Sequence, residues 1–82
     1  MIATTTKNGQ MVRLSAEFHI DTGTVEYTVY CKGKTFCFED FAPAARIYKD
    51  LSRLIEDELD VKARLGHLVN GARLLGFTVK EV

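Results

Sequence analysis

From Val12 to Phe38, apolar and polar residues alternate, and the alternation breaks only around two glycines. Val12, Leu14, Ala16, Phe18 and Ile20 are interleaved with Arg13, Ser15, Glu17 and His19. Val25, Tyr27, Val29 and Cys31 are interleaved with Glu26, Thr28, Tyr30 and Lys32, and Phe36 and Phe38 with Thr35, Cys37 and Glu39. Side chains along a strand point to opposite faces in turn, so a period of two marks a half-buried strand. Three such runs joined by short turns make an antiparallel meander. Cross-strand partners must share a face, which tests the turns. A two-residue turn at Thr22-Gly23 pairs Ile20 with Val25, Phe18 with Tyr27, Ala16 with Val29 and Leu14 with Cys31. A two-residue turn at Lys32-Gly33 pairs Val29 with Phe36 and Tyr27 with Phe38. Every apolar residue then lies on one face, whereas an odd loop would send Phe36 and Phe38 to the other. Upstream, Asn8-Gly9 suits the type I′ turn, whose two central residues both need positive φ. Ile2 to Lys7 before it reads as a short edge strand.

The second half carries helical spacing. Asp40 is placed as an N-cap, with Pro43 in the first turn. Phe41, Ala44, Ala45, Ile47, Tyr48, Leu51, Leu54, Ile55 and Leu59 form one apolar stripe. A second stripe, Val61, Leu65, Leu68, Val69, Ala72 and Leu75, is rotated by roughly 100° from the first at helical pitch. One straight helix cannot aim both at one core, so a break is expected near Asp60, which can cap the second helix. Gly76 suits the position that ends it, and Phe77 to Val82 alternates as a short C-terminal strand would. The expected fold is α+β: a meander of three or four strands followed by two helices on one face. The other face of the sheet is left to water.

The chain has 82 residues, enough for a single domain spanning 1–82. Apolar residues make up 46% and charged residues 27%, which is ordinary for a globular domain and unlike a disordered one. No run approaches the roughly 18 apolar residues of a membrane span, and the N-terminus shows no secretory h-region. Two cysteines are too few for a disulfide scaffold and suit a reducing cytoplasm. Eleven basic and eleven acidic residues cancel. That argues against both a general polyanion binder, whose affinity grows with its cationic contacts, and a strongly acidic nucleic-acid mimic.

The motif that invites chemistry is Cys31-Lys-Gly-Lys-Thr-Phe-Cys37. A phosphate-binding loop would need glycine where Thr28 stands, and a helix after the loop. Here Gly33 sits between strands and reads as a turn. The register sends Cys31 and Cys37 to opposite faces, which disfavours a bridge, and no further Cys or His pair completes a zinc site. His19 lies on the open face opposite Glu26, as a cross-strand ion pair, and His67 lies off the core stripe. The acids Glu56, Asp57, Glu58 and Asp60 read as a solvated helix end. No nucleophile–base set is indicated by spacing. No catalytic residue, metal or cofactor is therefore expected.

What remains is recognition. The open face and the turn beside it offer Arg13, Glu17, His19, Tyr30, Lys32 and Lys34 as contact residues for a protein partner, and aromatics such as Tyr30 are enriched at hot spots. The stretch Val61 to Lys80 holds Lys62, Arg64, Arg73 and Lys80 with no acid, which makes weak nucleic-acid binding the alternative. An edge strand or Leu74 leaves a homodimer open.

Phe36-x-Phe38 followed by Asp40-Phe41-x-x-Ala44-Ala45-x-x-Tyr48-x-x-Leu51 spans about 16 residues and resembles small accessory proteins of phages and mobile elements, the class that includes anti-CRISPR inhibitors. The resemblance implies a short, cytoplasmic, non-enzymatic protein that acts by occluding a larger partner. Many members are acidic DNA mimics, and this neutral chain departs from them. The expected function is thus a small protein-binding regulator or inhibitor.

Overall fold

A computed structural model describes residues 2–57 and 59–82, so Glu58 of the acidic run lies outside the described residues. Five strands, β1 (Ala3–Lys7), β2 (Gln10–His19), β3 (Thr24–Cys31), β4 (Lys34–Phe38) and β5 (Val79–Glu81), form one antiparallel sheet in chain order. Two helices, α1 (Phe41–Glu56) and α2 (Val61–Leu74), intervene between β4 and β5. The architecture is α+β, with both end strands present.

Turn chemistry sets much of the register. Asn8 and Gly9 have φ of 52° and 75°, and Lys32 and Gly33 have 55° and 76°. Both central residues of each turn are left-handed, as two-residue hairpins require. Val29 accordingly pairs with Phe36 and Tyr27 with Phe38. The β2–β3 connection corrects the expectation. Leu14 pairs with Val29, Ala16 with Tyr27 and Phe18 with Val25, and the ladder stops at His19 opposite Thr24. Ile20 to Gly23 is a four-residue turn, closed by the Gly23 N–H donating to the His19 carbonyl at 2.8 Å. Adding two residues to the turn moves every pairing by two. Parity is kept, so the faces are as read, but the partners are not.

Packing gathers at one end of the sheet. α1 lies across β1 to β4, and α2 rests against α1 and β5. Val12, Val29, Cys31, Phe38, Leu51, Ile55 and Val61 are all but sealed from water. β1 is tied down by the Thr5 and Tyr48 hydroxyls, 2.8 Å apart, and by Lys7 Nζ donating to the Glu56 carbonyl at 2.7 Å. Asp40 occupies the N-cap position of α1, but its side chain makes no capping bond. Asp60 does cap α2, accepting from the Lys62 N–H at 2.9 Å. α2 ends with Phe77 N–H bonding the Ala72 carbonyl at 3.1 Å and Gly76 N–H bonding the Arg73 carbonyl at 3.0 Å. This is the paired closure that a left-handed Gly76 permits. The chain turns away there, so Leu75, expected on the core stripe, is exposed instead.

Candidate binding surfaces

The core side of the sheet is longer than the helices that cover it. β1 pairs with β2 only as far as Leu14, and β4 pairs with β3 only from Tyr27 onward. Beyond those points β2 and β3 run on as a two-stranded ribbon. Its core-side face shows Phe18 paired with Val25 and Ala16 paired with Tyr27. Phe18 is 61% exposed and Ile20 85%. Val25 and Ala16 are exposed as well, contrary to the buried stripe read from the sequence. At the base, the Tyr27 and Phe41 rings meet edge to face with centroids 5.3 Å apart, and Phe41 too is left half exposed. Among the described residues, the outer edge of Thr24 to Glu26 has no strand partner. It opens on a hollow of about 530 Å3 lined by His19, Val25, Glu26, Tyr27 and Glu39. The overhang follows from unequal strands: β2 has ten residues and β4 five.

The opposite face is polar and uncovered by either helix. Arg13, Tyr30 and Thr35 lie in one cross-strand row, and Ser15, Thr28, Cys37 and Lys80 in the next. Glu17 stands directly opposite Glu26. His19, expected opposite Glu26, reaches it only diagonally, with Nε2 3.8 Å from the carboxylate. Donor atoms of Glu17, His19 and Glu26 lie within 4.8 Å of one another, a set with the composition to hold a divalent cation. Like charges directly opposite on a ladder are destabilising. Glu17→Gln is therefore expected to raise stability by about 0.2–1 kcal/mol, with a gain that shrinks in high salt. Urea unfolding at two ionic strengths measures both.

Both cysteines are free. Burial pushes the Cys31 thiol up, against a smaller lowering by Lys32. Burial also raises Cys37, helped by the Glu26 carboxylate through charge and a hydrogen bond and by Glu17, while Lys80 opposes. A thiol whose folded pKa is raised holds its proton more tightly when folded. The stability this gives is complete below the unfolded thiol pKa of about 8.5, and it is lost as pH climbs from there towards the folded values. Unfolding free energy should therefore fall on going from neutral to strongly alkaline buffer. Cys31 should stay unlabelled by a thiol reagent in the native protein and react on unfolding. Prompt native labelling of Cys31 would contradict its burial.

Two grooves flank α2. One, about 420 Å3, runs between the helices and is lined by Pro43, Ile47, Leu68, Gly71, Ala72 and Phe77, together with His67 and Asp50. The other, about 530 Å3, lies between the β3–β4 turn, α2 and β5, and gathers Lys32, Lys34, Lys62 and Arg73. Lys32 and Lys34 come from the β3–β4 hairpin and Lys62 and Arg73 from a helix, and the fold brings the four to one groove. Arg64 is outside this groove. Lys80 pairs with Cys37 in register and so belongs to the opposite face. Comparison with protein-family models, curated proteins and solved structures gave no match. Among the described residues, no helix is long and apolar enough to cross a membrane.

Proposed function

We propose that the protein is a small non-catalytic protein-binding module that regulates or inhibits a larger partner by covering part of its surface. The observation that carries this reading is the two-stranded β2–β3 ribbon, with one apolar face bare and an unpaired edge at Thr24 to Glu26. A two-stranded hairpin alone is marginal in water. A partner strand added along that edge would pair its backbone groups and cover Phe18 and Val25, the mode of β-augmentation. The resemblance of Phe36 to Leu51 to phage and mobile-element inhibitors points the same way, towards a bacterial host complex as the target.

The test is capture of partners from bacterial lysate, with and without nuclease, using the native chain and Phe18→Asp. The substituted side chain is already exposed, so the fold should survive, as circular dichroism can verify. Expected is a stoichiometric protein partner that persists after nuclease, and whose affinity drops by roughly 30-fold in Phe18→Asp, the scale of a hot-spot loss. Equal binding by the variant would remove the ribbon from the interface. Partners lost on nuclease treatment would favour the alternative, a weak nucleic-acid-binding regulator using Lys62, Arg64 and Arg73.

A further inference from the structure

We infer that the groove between the β3–β4 turn, α2 and β5 is a binding site for a small ligand carrying two or more adjacent phosphate groups. This goes beyond protein recognition at the ribbon and does not depend on it.

Four cations reach the groove from separate parts of the chain. Lys32 and Lys34 come from the turn and the start of β4, Lys62 from the first turn of α2, and Arg73 from its last. Among the described residues none of the four is ion-paired with a carboxylate. Glu81 is the one acid on the lining. The chain as a whole is neutral, so this is a local concentration of charge, held in place by the fold. The lining also includes Phe36, Leu65 and Val69, all three buried. All four cationic residues are exposed, and a multiply charged anion seated between them would be attracted by each. Lysines serve phosphate as mobile point charges, and three around one hollow can share two neighbouring phosphates. Asn70 adds an amide donor.

The same geometry favours a compact ligand over a nucleic-acid strand. A strand needs a continuous basic track. Here Arg64 is not part of the groove, Lys80 is on the far face, and that face also carries Glu17 and Glu26 as well as Arg13. Phe36 is only 5% exposed and offers no platform for stacking a base. The Lys62 amide is already bonded by Asp60, so the contacts come from side chains and follow phosphate count rather than sequence.

The experiment is a two-dimensional amide NMR titration of the full chain at low ionic strength. The probes are inorganic pyrophosphate, inorganic phosphate and a single-stranded oligonucleotide. Pyrophosphate should give saturable shifts confined to the β3–β4 turn, α2 and β5, with affinity about tenfold or more above that for phosphate. Lys34→Ala with Lys62→Ala should weaken it roughly tenfold. Arg64→Ala and Lys80→Ala should each change it less than about twofold. Arg73 is left intact because its guanidinium also holds β5. Absence of saturable shifts overturns the site. Equal losses in the Arg64 and Lys80 variants reduce it to diffuse charge and overturn it as well. Oligonucleotide binding tighter than pyrophosphate, with shifts reaching Arg64, would replace the compact ligand by a nucleic acid.

Discussion

Replacing Phe38 by alanine is expected to remove a large share of the protein's folding stability. Phe38 ends β4, pairs with Tyr27 on one side and Val79 on the other, and is 1% exposed. It is among the largest of the fully buried side chains and packs into a core to which α1, α2 and the sheet all contribute. Phe→Ala in a core costs about 3–5 kcal/mol from lost transfer energy and the cavity left behind. A chain of 82 residues has only about 4–12 kcal/mol in total. Phe38→Leu, which keeps much of the volume, should cost under about 1.5 kcal/mol. Urea midpoints of the two variants measure the difference. Near-native stability of Phe38→Ala would mean that the core is not organised around β4.

The second large effect concerns Arg73. Its Nε and one terminal nitrogen donate to the Val79 carbonyl at 3.3 and 3.0 Å. β5 has three residues and pairs only with β4, so this fork is a principal tie between the strand and α2. A hydrogen bond from a charged donor is worth about 1.5–3 kcal/mol. Arg73→Met keeps the stem and removes the fork, so a loss of that order is expected. Arg73→Lys restores the charge but not the planar pair of donors, and should recover only a fraction. The loss should be local. Hydrogen exchange should accelerate along the β4–β5 ladder and at the Val82 N–H, which bonds the Thr35 carbonyl at 2.8 Å. The β2–β3 amides should be little changed. Uniform acceleration across the sheet would show that β5 is not a separable unit.

The meander, its buried face and the break between the helices were legible because each rests on local pattern. Two-residue turns at Asn8-Gly9 and Lys32-Gly33 follow from residues that tolerate positive φ. The rotation between the two apolar stripes located the helix break, and Asp60 caps where it was expected to. The β2–β3 register was misread because an alternating pattern is blind to a shift of two. Ile20 continues the apolar phase, yet it belongs to the turn. That moved His19 from Glu26 to Thr24 and set Glu17 against Glu26. How far the helices would reach over the sheet was not written in any local pattern, so Phe18 and Val25 were counted as core. The basic groove was illegible for a different reason. Lys32 and Lys34 meet Lys62 and Arg73 only because the α1–α2 hairpin folds back and β5 closes beside β4.

The sheet's spatial order is its chain order, and no strand crosses another. During synthesis each of β2, β3 and β4 can therefore pair with its predecessor as soon as it emerges, with small loop-closure cost and fast kinetics. The helices that cover their apolar face are translated later, from Phe41 onward. A growing chain stalled after β4 would display Val12, Leu14, Val29, Phe36 and Phe38 on an open sheet. Such a nascent chain is the form most exposed to aggregation and the one a chaperone would recognise.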